Sequence, residues 1–201
     1  ANAHFRLSMQ REALADYTQA IKMNPRHLQA LGNRGVVHAI LTEYDEAATD
    51  FERLLAVEPN HPSADVIRTQ LAEAKRRARI LTDGPKSPEE HFIRGDILLR
   101  RRELDASTKD FERFLAGCGE PPAEGMEEMY VQAHYNLAAY YSVRRNLDTA
   151  FEHLAKAIEG GYDDLERMRR DPDLEELRKD PRFQEVVGPK GPGTHDPESE
   201  K

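Results

Sequence analysis

The sequence predicts an all-α chain built as a row of two-helix modules, a solenoid, and three observations carry that expectation. The first is a repeat. Ala13, Tyr17, Ala20 and Pro25 stand 34 positions ahead of Ala47, Phe51, Leu54 and Pro59. Arg94-Gly95, Asp110-Phe111-Glu112-Arg113 and Leu115-Ala116 match Arg34-Gly35, Asp50-Phe51-Glu52-Arg53 and Leu55-Ala56 at an offset of 60. A fixed period of this size marks stacked repeats. The second is apolar spacing of helical type within each repeat. The third is composition: 38% hydrophobic and 33% charged residues, with Pro and Gly mostly at junctions and near the end, give a thin core of the kind an elongated array needs.

Leu28 to His61 is the complete unit. Gly35 lets one helix cross closely over the other, and Ala47 is the small residue expected to meet it. Phe51, Leu54 and Leu55 form the apolar stripe, and Glu43, Asp45, Glu46, Asp50 and Glu52 are expected on the wet side. Pro59 stops the second helix, and Asn60 and Pro62 turn the chain. Such a unit cannot cover its own apolar face, so it stacks on a neighbour.

Taken in order, residues 1–7 read as the end of a first helix and 10–23 as its partner. Helices over 28–41 and 44–57 follow, then an extra helix over 62–81. That helix ends in Lys75, Arg76, Arg77 and Arg79, whose charges suit a helix C-terminus; an acidic partner is the alternative reading. Residues 1–81 form the first half of the array and 82–87 a linker. Six linker residues reach at most about 20 Å, against roughly 30 Å for the extra helix. The helix from Pro88 is therefore expected to run antiparallel to it, with a kink or reset between the halves. Residues 88–164 form the second half, with helices over 88–101, 104–116, 123–143 and 146–158 and a stop at Gly160-Gly161. Asp171-Pro172 and Asp180-Pro181 read as capped helix starts in a tail over 165–187, where Leu165, Leu174, Leu177, Phe183 and Val186 cover the last apolar face. Residues 188–201 are expected to be disordered.

The complete unit resembles the tetratricopeptide repeat family. Leu31, Gly35, His38, Ala47, Phe51 and Pro59 meet the family pattern, with Arg34 in place of its Leu. His91, Gly95, Leu98, Ser107 and Phe111 continue it in the third unit, and His134, Leu137, Ala138, Tyr141, Ala150, Leu154 and Ala157 in the fourth. The first unit is cut, and 165–187 resembles the helical tail that closes many bacterial arrays of this family. The resemblance implies a right-handed superhelix of about four repeats, with an extra helix between the second and third and a short helical C-terminal cap. It also implies a concave groove lined by first helices. Gln29, Asn33, Val36 and Ile40 fall there, with Phe92, Asp96 and Leu99 from the third unit and Gln132, Tyr135, Asn136 and Ala139 from the fourth. Amides in such a wall can hold a peptide backbone and aromatics can receive an apolar side chain; the alternative is that Asn33 and Asn136 satisfy helix-end or interhelix groups. Chaperone adaptors of the family grip a C-terminal carboxylate with two Asn and several cations. Asn2 and Asn33 fit the Asn positions, but Ser63 and Ile67, or Glu89 and Ile93, hold the cationic ones, so binding of a chaperone tail is not expected.

A formal net charge of -8 disfavours duplex nucleic acid. The single Cys118 supports neither an internal disulfide nor a metal cluster, and no apolar window is long enough to span a membrane. The resemblance places His4 and His38 at the family's tyrosine position, His91 and His134 at its tryptophan position, and His27 and His61 in inter-repeat turns, so they read as packing residues. Phosphate-loop and nucleophile-elbow motifs are absent. The expectation is a non-catalytic scaffold without cofactor or metal that binds a peptide or protein segment in its groove. A docking or regulatory module of a larger enzyme, such as a multidomain signalling protein, is the alternative, and a self-assembling array joined through the open face of the cut first repeat is a third. The cytoplasm is the expected location, with an envelope location left open by a start inside a helix.

Overall fold

The computed structural model describes residues 2–188, with side chains from residue 8 onward. The expected disordered tail lies outside the described residues, apart from Gly188. The described residues form two compact units that divide between Pro85 and Lys86.

The first unit holds α1 (Asn2–Met23), α2 (Leu28–Ile40), α3 (Tyr44–Val57) and α4 (Ala64–Asp83). Each helix packs on the one before it. Its core is Ile21, Ala30, Leu31, Ala47, Phe51, Leu54, Ile67 and Ala74, with Tyr17 and Leu71 against it. Three sequence expectations change here. The proposed break between residues 7 and 10 does not exist, because α1 runs through it. Ser8 and Met9 include no helix breaker, and Met9 stands where Glu43 follows the next hairpin's turn. That turn is built by Thr42 in the left-handed region, φ 62°, and by the Glu43 N–H returning to the His38 carbonyl at 2.9 Å, a helix-ending pattern that usually uses glycine.

The second change concerns α4, which extends to Asp83 and ends at Gly84, φ 84°. Its cations therefore lie before the last turn, and cross-pairing explains two of them. Lys75 meets Glu52 of α3 at 2.5 Å. Arg77 meets Glu73 at 2.5 Å and lies over the Tyr44 ring. The third is Asp50, which is not on the wet side: it is 2% exposed.

The second unit holds three hairpin helices of ordinary length, α5 (Pro88–Arg100), α6 (Leu104–Cys118) and α8 (Leu147–Glu159), and the longer α7 (Glu127–Val143). Ser87 caps α5 by accepting from the Glu90 N–H at 3.2 Å. The segment Ala123 to Met126, expected to be helical, is a turn with Gly125 at φ 83°. Arg102 and Arg145, at φ 63° and 59°, occupy the hairpin-turn position of Thr42.

The tail folds back over the last hairpin as α9 (Leu165–Arg170), a 3-10 turn (Pro172–Leu174), α10 (Glu175–Lys179) and α11 (Arg182–Val187). Met168, Leu174, Leu177, Phe183 and Val187 join Tyr135, Ala138, Ala150, Phe151, Leu154 and Ala157 in one core. Asp171 and Asp180 accept from the N–H groups of Asp173 and Arg182, each at 3.0 Å, as the Asp-Pro pairs predict. Among the described residues no helix is long and apolar enough to cross a membrane.

Candidate interaction surface

The hairpins α2–α3 and α5–α6 are each fastened by a buried ion pair. Arg34 donates from Nε and Nη2 to the two carboxylate oxygens of Asp50 at 2.7 and 2.6 Å. Arg94 does the same to Asp110 at 2.6 and 2.8 Å, and His91 Nδ1 lies 2.8 Å from the same carboxylate. Both acids are buried, Asp110 to 1% exposure. The carboxylates raise the pKa of both guanidiniums, chiefly by hydrogen bonding. Two parallel charge-assisted bonds set rotation as well as distance between the helices.

Beside each clamp a glycine meets a phenylalanine. A Cβ on Gly35 would lie 2.8 Å from the Phe51 ring, and one on Gly95 2.9 Å from the Phe111 ring. Close approach of backbone to an aromatic ring is thus what these glycines permit, and Phe51, not Ala47, is the main partner of Gly35. The last hairpin departs from this scheme. Ala138 and Leu154 replace Gly and Phe, Leu137 replaces the Arg, and His153 replaces the Asp. His153 Nδ1 is 2.8 Å from His134 Nδ1. Sequence reading treated His134 alone, as a packing residue. The signal that finds the pair is its spacing of 19, the spacing of His91 and Asp110.

The residues expected in a groove divide into three groups. Asn33, Val36 and Ile40 are exposed together with Gln29 along α2, Val36 at 37% and Ile40 at 49%. Phe92, Asp96, Asn136 and Ala139 are half-buried. Phe92 packs on Phe111 and Phe114 with centroids 5.6 and 5.4 Å away, Asp96 pairs with Arg100 at 2.9 Å, and the Asn136 oxygen accepts from Gln132, one turn earlier on the same helix, at 3.0 Å, a bond within α7 that serves neither a helix end nor a neighbouring helix. Tyr135 is corrected: it is 2% exposed and serves the cap. Its hydroxyl donates to Asp171 at 2.5 Å, and its ring stacks on Tyr162 at 4.5 Å. Burial, with that carboxylate, drives its pKa up. Arg178 donates to the Asp171 carbonyl and completes the latch.

Ser63 is exposed at the start of α4 and Ile67 is buried in the core of the first unit, so neither position supplies a cation. His27 Nδ1 accepts from the Ala30 N–H at 3.2 Å and His61 Nδ1 from the Ser63 N–H at 3.1 Å; both are turn residues. Among the described residues no three His, Cys, Asp or Glu side chains converge as metal ligands. On α1 the exposed large apolar side chains described are Met9 and Met23, which lie at opposite ends of the described part of the helix.

Residues 2–72 match the tetratricopeptide repeat family. The chain is 24% identical over 119 residues to the peptidyl-prolyl cis-trans isomerase FKBP4 of Mus musculus, an alignment covering 54% of this chain and 25% of the relative. It is 30% identical over 79 residues to a serine/threonine-protein phosphatase T of Aspergillus oryzae, covering 39% and 16%. The chain thus spans a quarter or less of these curated relatives. The solved structure of the MamA RS-1 ArsTM double mutant aligns over 92% of this chain and 89% of its own, at 16% identity and a TM-score of 0.33. The family match over residues 2–72 includes the hairpin whose Arg-Gly and Asp-Phe pairs recur in α5–α6, so this segment of the chain carries tetratricopeptide repeats.

Proposed function

We propose that this chain is a non-catalytic scaffold that binds an extended peptide or protein segment along the outward face of α2. Tetratricopeptide repeats generally mediate protein–protein interaction, and the observation that supports this particular face is its composition. Gln29, Asn33, Val36 and Ile40 are all exposed on α2, spaced so that they share one face. Two apolar side chains beside two amides offer burial for a partner's side chain and donor and acceptor groups for its backbone. Phe92, Asp96, Asn136 and Ala139 are a lesser surface, since their side chains are already partly engaged.

The test is capture of partners by the wild type and by Asn33→Ala combined with Ile40→Asp. Both residues are exposed, so helicity and thermal midpoint should be unchanged while capture falls. Equal capture by the double variant would move the site away from α2.

A second reading, that the chain docks or regulates an enzyme domain, is favoured by the relatives. The two named above are an isomerase and a phosphatase, and each aligns over only a fraction of its length. A segment shared by unlike chemistries is better suited to recruitment than to catalysis. An enzymatic domain in the same polypeptide, found by sequencing the full transcript, would support it.

A further inference from the structure

His134 on α7 and His153 on α8 face each other with Nδ1 atoms 2.8 Å apart and ring centroids 5.0 Å apart. Two nitrogens at that distance share one proton: one ring donates from Nδ1–H and the other accepts with a lone pair. The charge states of the pair then differ in kind. In the neutral pair the bond is made. One added proton goes to an Nε2 and leaves the Nδ1 bond in place, now assisted by charge. A second added proton puts N–H on both Nδ1 atoms, and two like-charged donors cannot remain in contact.

The surroundings resist that second proton. His134 is 3% exposed, with the Tyr130 ring edge-on at 4.5 Å, and Tyr141 stacks on His153 at 5.7 Å. The charged groups that face the pair are Glu112 of α6, Glu120 of the following loop, and Glu152 and Lys156 of α8. Two of the three carboxylates are already engaged: Glu120 with Lys156 at 3.0 Å, and Glu112 with the Tyr141 hydroxyl at 2.5 Å. Burial lowers the pKa of both imidazoles, that of His134 to about 4, with His153 and Lys156 adding to the effect. The pair also adjoins the cap, because the neighbouring residues Tyr135 and Leu154 share a core with Met168, Leu174, Leu177 and Phe183.

We propose that the His134–His153 pair is a proton-operated latch: the last hairpin and its cap stay closed while at least one Nδ1 is a bare acceptor, and part when both rings are protonated. Imidazole ¹⁵N spectra of the whole chain read this without substitution. The expected result is one Nδ1–H and one Nε2–H ring at pH 7, with no doubly charged pair at pH 6. Two rings of one tautomer, or two independent titrations near 6.5, would overturn it. Amide hydrogen exchange, corrected for intrinsic rate, supplies the second readout. Between pH 6 and pH 4 the cap should lose at least about tenfold more protection than α2–α3, the effect of one proton over one pH unit. In His153→Gln, which keeps a neutral partner for His134, that excess should vanish; an excess equal to the wild type's would also overturn the latch.

Discussion

The hairpins α5–α6 and α7–α8 solve one packing problem with different chemistry. In the first, a guanidinium and a carboxylate, those of Arg94 and Asp110, hold the helices, and Gly95 admits the Phe111 ring. In the second, two titratable rings meet at the 19-residue spacing that His91 and Asp110 share, and Ala138 and Leu154, in one core, take the places of Gly95 and Phe111. The exchange is made in pairs: Arg with Asp, Gly with Phe. What repeats in this fold is therefore a set of coupled positions, and a substitution at one is tolerated when its partner changes with it.

Breaking the charged clamp should have the largest effect. Asp110→Ala leaves a half-buried guanidinium without its carboxylate and is expected to destabilise the second unit by about 3 kcal/mol, read as a lower denaturant midpoint. Asp50→Ala should do likewise in the first unit. The unclamped hairpin should respond to pH instead. Both imidazoles have folded-state values below their unfolded ones. As pH falls through the unfolded value near 6.5, the unfolded chain gains protons that the folded chain refuses. Stability is therefore retained above that pH and lost below it, for His134 down to about 4, with a slope approaching roughly 1.4 kcal/mol per pH unit for one ring. His134→Asn with His153→Asn should flatten that part of the profile.

A smaller effect is expected at the glycine. Gly95→Ala pushes a methyl into the Phe111 ring and should destabilise by about 1–3 kcal/mol. Adding Phe111→Leu, which copies the pair used in the last hairpin, should recover part of that loss in a double-mutant cycle. A coupling of zero would show that the two hairpins are not built on interchangeable pairs. The smallest change is Ser87→Ala, which removes the α5 cap and should lower stability by about 1 kcal/mol.

Much of this architecture was legible in the sequence because it rests on periodicity and on breakers. The repeat offsets located the hairpins, Asp171-Pro172 and Asp180-Pro181 marked the tail, and Gly160-Gly161 marked the end of α8. What was misread depended on partners far along the chain. Asp50 looks like one more surface acid until Arg34 is placed 16 residues before it on a facing helix. Tyr135 looks like a groove aromatic until the tail is folded onto it and Asp171 takes its hydroxyl proton in a hydrogen bond. The cations of α4 looked like a C-terminal cluster because Thr82 and Asp83 gave no sign that they stay helical until Gly84. For the candidate surface, the sequence named Gln29, Asn33, Val36 and Ile40, which are all exposed on α2. It could not show that the corresponding residues of α5 and α7 are already in use.

The most direct test of the binding proposal is site-specific photocrosslinking to captured partners from exposed positions on two faces of one hairpin. A crosslinker at Val36 or Ile40 of α2 should label a partner, and one at Glu46 or Arg53 of α3 should not. Labelling from α3 and none from α2 would contradict the account.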